Sequence, residues 1–434
     1  MNKIILLILF IFVTIGCSFN KNSKFWTASQ SIPEENNLEY KEIFVEEEAL
    51  GKELNPNLKL KLNGEINTNL SVRNYFNNEG RSNFDGLLKK SSRYKFSKIK
   101  NFYQFEPTIS FYKKNLIFFD DNGSILKFDN QSKLIWKKNY YSKSEKKLKP
   151  MLQFANDKNF LIVADNIAKY YALDLNSGDL LWSKNNLAPF NSQIKIFKEK
   201  IFLVDFSNTL RCFSTKDGKE LWNITTDKSL IRSQKKLSIV IVNNTLYFNN
   251  SLGDINAVDI NKGELLWQLP TQKNLIFESS FSLETSDIIA DTNSLFFSNN
   301  KNQLFSIDIK TGSFNWENKI NSNLRPSLVG NLLFTVSMEG YLIVIEKNTG
   351  NILRITDIFK NYKKKKRNKI KPVGFIIGLN NIYLSLSNGR LLVVDIVTGK
   401  TISVLKIDNE KISRPFVLDS NLFVIKDNAI IKLN

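Results

Sequence analysis

The chain has 434 residues and a formal charge of +19, with 42% apolar and 12% aromatic residues, enough for one large core or two. It contains no His, which removes every His-based acid–base, nucleophilic or metal site. Its two Cys, Cys17 and Cys212, are far apart in the sequence and form no adjacent pair. The positive balance favours acidic partners or a membrane surface, and it equally fits a chain drawn from a Lys- and Asn-rich proteome.

Residues 1–3 are a short charged start, and Ile4–Ile15 is an apolar run of twelve residues. That is too short to span a bilayer comfortably and suits a signal-peptide core. Gly16-Cys17 follows at once, and the arrangement resembles a bacterial lipoprotein signal, in which the Cys thiol takes lipid and becomes the mature terminus. Thr14 departs from the usual Leu three places before the Cys. On the same resemblance, Ser18 rather than Asp points to the outer membrane. Residues 18–56 are polar, with acidic clusters at Glu34-Glu35 and Glu46–Glu48, and read as a tether. The segment Leu58–Leu62 alternates strictly between Leu and Lys and predicts a strand. Residues 68–100 read as an irregular approach.

A short phrase then organises the rest. It reads Ala-Leu-Asp-Leu-Asn-Ser-Gly-Asp-Leu-Leu-Trp at Ala172–Trp182 and returns at Ala257–Trp267 and Ser306–Trp316. Looser copies end at Trp136, Trp222, Arg354 and Ser403, so five of the six Trp hold the final position. The ends are 46, 40, 45, 49, 38 and 49 residues apart, a spacing that signals a propeller or solenoid. Within the phrase, the Asp is placed to accept loop amide hydrogens, and the Gly permits the positive φ of a tight turn. Gly178, Gly218, Gly263, Gly312, Gly350 and Gly399 hold that place, and the copy ending at Trp136 lacks it. Cys212 sits where other copies carry Ala172, Ala257 and Ser306, and reads as a small core residue.

From Thr108 each repeat supplies four strands; seven are complete by Lys406, and an eighth of three strands begins at Arg414-Pro415. The prediction is an all-β, eight-bladed propeller of four-stranded antiparallel blades spanning 57–434, closed by an N-terminal strand, with Leu58–Leu62 supplying the missing outer strand. Two basic loops, Lys143–Lys149 and Lys360–Lys371, lie between blades. They read first as solvated insertions, and otherwise as contacts with anionic lipid or lipopolysaccharide.

The pattern Asp-x-x-Thr/Ser-Gly-x-x-x-Trp resembles the propeller repeat of pyrroloquinoline-quinone (PQQ) proteins. Two families share it. Quinoprotein dehydrogenases carry a vicinal Cys pair beside the cofactor, a carboxylate base and calcium ligands; this chain has no adjacent Cys pair. The BamB family consists of lipid-tethered eight-bladed propellers of the outer-membrane β-barrel assembly machinery that perform no chemistry, and length, Cys17 and the inferred blade count favour it. That resemblance implies lipidation at Cys17, no cofactor or metal, and a place on the periplasmic side of the outer membrane. It also implies partners: the periplasmic domains of BamA, other Bam subunits and nascent outer-membrane proteins, with no nucleic acid. The family's apolar-x-Leu-Arg docking loop is similar to Leu230-Ile231-Arg232 after Trp222. Its acidic partner loop is similar to Glu284-Thr285-Ser286-Asp287, with altered spacing. The residues themselves read two ways: Leu230 and Ile231 as interface anchors beside an Arg, or as packing under their own loop. A propeller that binds an anionic glycan or lipid is the remaining alternative. WD40 propellers match poorly, since Gly-His and Trp-Asp dipeptides are missing.

Overall fold

The computed structural model describes residues 51–64, 66–67, 75–100, 102, 106–226, 235–272 and 283–434. Cys17 and Leu230, Ile231 and Arg232 lie outside these described residues. The period of the phrase resolves into eight antiparallel blades, numbered here in chain order. Blade 1 runs from Ser110 to Lys138, blade 2 from Leu152 to Asn185, blade 3 from Lys195 to Thr225 and blade 4 from Ile239 to Leu269. Blade 5 runs from Ile289 to Asn318, blade 6 from Ser327 to Asp357 and blade 7 from Pro372 to Lys406. Blade 8 joins Phe416–Leu418, Asn421–Lys426 and Ala429–Leu433 to an outer strand drawn from far upstream.

The two middle strands of a blade are almost wholly buried and, except in blade 6, the outer one is largely exposed, as in blade 2, where Leu161–Ala164 are inaccessible and Leu180 and Leu181 face solvent. The core is therefore a series of seams between neighbouring blades. Val240, Tyr247 and Ala257 of blade 4 pack against Ile288, Leu295 and Phe305 of blade 5, for example.

The phrase builds those seams. The Asp174 carboxylate accepts the amide hydrogens of Asn176 and Ser177, both at 2.8 Å, and Asp259 and Asp308 repeat the turn. The Gly then meets the Trp of the preceding blade. At Gly263, φ is +74° and a Cβ would lie 2.6 Å from the Trp222 ring; Trp136, Trp182, Trp267 and Trp316 cover Gly178, Gly218, Gly312 and Gly350 in the same way. The indole N–H of Trp182, Trp267 and Trp316 donates to a carbonyl of the next blade, on Thr215, Ile309 and Lys347. A bulge sets the ring: Trp222 pairs with Cys212 and Trp267 with Ala257, where a small side chain leaves room for the indole. Cys212 is fully buried, and burial pushes its thiol up to about 12, so it serves as packing.

Arg354 takes the Trp place between blades 6 and 7. It is fully buried and donates to the carbonyls of Leu58 (3.0 Å), Ile396 (3.1 Å) and Val397. Burial lowers its guanidinium to about 10, although Asp395 works the other way.

Leu58–Leu62 corrects the expected closure. These residues form no ladder in blade 8. Leu60 packs in the seam of blades 6 and 7, with its amide on Val397 O at 3.2 Å, and Leu58 is exposed. The alternation records one buried face, which packing alone satisfies. The closing strand is Lys90–Lys95, antiparallel to Ala429–Leu433. Its Tyr94, 1% exposed, crosses the last seam to meet the Phe128 ring of blade 1 at 5.6 Å and to donate to Asn130 O at 3.3 Å.

Candidate functional site: the loop face and the central channel

An up-and-down blade places its outer-to-next-inner connections at one end, together with the middle hairpin turns. The acidic loop Leu283–Ile288 and both basic loops belong to that end. The basic loops contain short helices. Lys143–Lys147 is started by a capping box between Ser142 and Glu145, and Lys364–Arg367 is fixed by Arg367, which pairs with Asp357 at 2.6 Å. Lys143, Lys147 and Lys363–Lys366 remain exposed.

Glu284 and Asp287 part company in the structure. Glu284 is exposed at the channel mouth and accepts from the Asn323 amide. Asp287 is buried and paired with Arg325, whose Nε lies 2.7 Å from Oδ2. Burial alone would raise its pKa; the adjacent Arg325, with Lys236 and Lys235, overrides this and holds the carboxyl far below its usual range. Of the two, Glu284 faces solvent, and Asp287 orients an arginine inside.

A device absent from the phrase sets the inward residues. Ser192, Ser286 and Ser413 each precede an inner strand. Each accepts the amide hydrogen of the residue twelve places on (Val204, Ser298 and Ile425) and donates to the carbonyl of its own successor. The successors are Gln193, Asp287 and Arg414. The repeated Ser-polar dipeptide is the signal that sequence reasoning passed over.

The segment Tyr75–Phe84, read from sequence as an irregular approach, runs along the inner strands from blade to blade. Its carbonyls accept from Ile241 and Ala290, and Asn77 donates to Gln193, Ser238, Ile239 and Ile288 at 3.0–3.1 Å. Asn78 accepts from Leu328, and Ser82 donates to Ile377 O. Asn77 adopts φ +56°, a conformation Asn tolerates better than most residues. Glu79 accepts from Arg325 (3.0 Å) and Arg414 (2.6 Å).

Above this strap lies a cavity of about 190 Å³, walled by Asn77, Glu79, Lys195, Lys236, Arg325 and Arg414 among others. Toward the loop end the channel widens into a funnel of about 760 Å³, lined by Lys235, Lys371, Lys411, Glu106 and Glu284. Lys195 Nζ donates to Asn77 Oδ1 at 2.6 Å, and Lys236 Nζ reaches Gln153 Oε1 and Glu106 O at 3.4 and 3.5 Å. Burial lowers Lys195 to about 7, with Arg325 adding to the effect, and lowers Lys236 to about 8.

Eight four-stranded blades, Trp-on-Gly seams and a strapped central channel define a PQQ-like β-propeller. A family model described as "Outer membrane protein assembly factor BamB" matches residues 121–356, and the chain belongs to that family. Solved structures agree in fold. BamB from Moraxella catarrhalis superposes with a TM-score of 0.63 at 14% identity, covering 80% of this chain and 100% of that one. The computationally designed Ika8 protein gives 0.59 at 12% identity, with 78% and 99% coverage. The quinohemoprotein alcohol dehydrogenase from Comamonas testosteroni gives 0.64 at 10%, with 84% and 80%. No curated protein matches the sequence.

Proposed function

We propose that this propeller is a non-enzymatic scaffold of the outer-membrane β-barrel assembly machinery. In this reading Cys17 carries lipid and residues 18–56 tether the body to the periplasmic side of the outer membrane. Leu230, Ile231 and Arg232 hold the periplasmic domains of BamA, together with Glu284, while Asp287 fixes Arg325 inside. Contacts with other Bam subunits and with nascent outer-membrane proteins complete the role. The observation that carries the reading is the family match across residues 121–356, which contains both loops.

Two further features support it over a quinoprotein enzyme. The sequence has no adjacent Cys pair, and Cys212 is enclosed in a blade. Among the described residues, no group of three or more Asp, Glu or Cys converges as a metal site would need.

The test is co-purification with BamA. Leu230→Ala/Ile231→Ala/Arg232→Glu removes apolar anchors and inverts a charge, and is expected to abolish retention with an unchanged melting temperature. Trp267→Ala is the folding control, and it is expected to cost roughly 3–5 kcal/mol of stability. A folded triple variant that still retains BamA overturns the docking assignment. PQQ-dependent oxidation of alcohols by the purified protein would overturn the scaffold reading.

A further inference from the structure

The geometry points to a binding site for a phosphate-sized oxyanion in the cavity above the strap. Its walls bring together four cationic side chains from four separate parts of the ring: Lys195 on the inner strand of blade 3, Lys236 before blade 4, Arg325 before blade 6 and Arg414 before blade 8. One carboxylate, Glu79, faces them and is shared by both arginines. Asp287, the next nearest, lies behind Arg325, and Glu106 and Lys235 stand toward the funnel. Positive charge therefore exceeds negative in a space sheltered from solvent, where uncompensated charge is costly.

The neutral groups on the same wall suit an oxyanion as well. Gln153 and Gln193 are amides able to donate, and Lys236 meets neutral oxygens only, at the long end of hydrogen-bonding distance. A chamber of about 190 Å³ holds a tetrahedral anion with a few waters. The wider funnel, with Lys235, Lys371 and Lys411 on its wall, supplies a basic approach from the loop end. The lowered pKa of Lys195 and of Lys236 agrees with this arrangement: an anion between them would restore both charges, so binding takes up protons near neutral pH. This site stands apart from BamA docking, and neither reading depends on the other.

Calorimetric titration of the full chain with inorganic phosphate and with sulfate, at low ionic strength and pH 7, tests it. One saturable site is expected for each anion. The observed heat should vary with the ionisation enthalpy of the buffer, because protons are taken up. Lys195→Met/Lys236→Met should bind at least about tenfold more weakly yet melt no lower than wild type without anion, since it removes two sheltered charges. Lys364→Met/Lys365→Met/Lys366→Met, which removes exposed surface charge, should bind as wild type does. The single change Lys236→Gln provides the same comparison if the double variant misfolds. Absence of saturable heat overturns the site, as does equal affinity in the Lys195/Lys236 variant or an equal loss in the surface variant.

Discussion

Closure of the ring through Lys90–Lys95 makes Tyr94→Ala the most informative single change. The side chain is 1% exposed, packs edge-on against Phe128 at 5.6 Å and tilts against Phe423 at 6.3 Å. With the Phe111–Phe423 contact at 5.2 Å, it bridges blade 8 to blade 1. Removing a buried aromatic ring costs about 3–5 kcal/mol through lost transfer energy and the remaining cavity. Tyr94→Phe loses only a hydroxyl whose bond to Asn130 O is 3.3 Å, so about 1 kcal/mol is expected. Leu58→Ala, at a position 41% exposed, should stay within about 0.5 kcal/mol of wild type. The seam tryptophans report the joints, so urea unfolding followed by Trp fluorescence measures all three. If Tyr94→Ala unfolds at the wild-type urea midpoint while Leu58→Ala falls by several kcal/mol, the closing strand has been misplaced.

Gly263→Ala should destabilise the protein by about 2–4 kcal/mol, combining the strain of a positive φ with overpacking against Trp222; a melting temperature equal to wild type would count against the Trp-on-Gly seam. Lys195 has a folded pKa of about 7, below its unfolded value, so its charged form disfavours folding; that penalty is full below pH 7 and fades as pH rises toward 10.5. Relative to Lys195→Met, the wild type should therefore gain stability between pH 7 and 10, and a pH-independent difference in urea midpoints would refute the burial argument. Cys17→Ser should abolish lipidation, read by mass spectrometry of the mature N-terminus; a wild-type terminus that is unmodified and lies elsewhere would exclude the lipid tether.

The blades were legible because each repeat needs the same turn: Asp174, Gly178 and Trp182 serve one structural purpose and recur together. The closing strand was not, for a physical reason. Outer strands of this ring are exposed, so Lys-Ser-Ser-Arg-Tyr-Lys carries one apolar residue and no periodic signal. Leu58–Leu62 displays the better pattern and uses it for packing without a ladder. Arg354 was recognised as the last residue of a looser copy, but nothing in the sequence shows that its two terminal nitrogens would donate to three backbone carbonyls. The channel was hidden more thoroughly. Its residues stand outside the phrase, one or two per repeat, and Lys195, Lys236, Arg325 and Arg414 converge only once the ring has formed. Glu284 and Asp287, three residues apart in one loop, illustrate the limit: composition treats them alike, whereas the Ser286 hydrogen bonds turn Asp287 inward and leave Glu284 outside.

The pairing of Lys90–Lys95 with Ala429–Leu433 also has a consequence in time. The chain emerges from its N-terminal end, so the first strand of the ring waits for partners made more than three hundred residues later. Each blade can form from neighbours in sequence, and contacts of that local kind form quickly. The final joint instead gathers the whole intervening chain into a loop, at an entropic cost of about 5 kcal/mol for a fully flexible segment. Prior formation of seven stacked blades shrinks that cost by holding the two ends near each other. Until then Tyr94, Phe128 and Phe423 are left uncovered, an aromatic edge that a folding helper would have to shield.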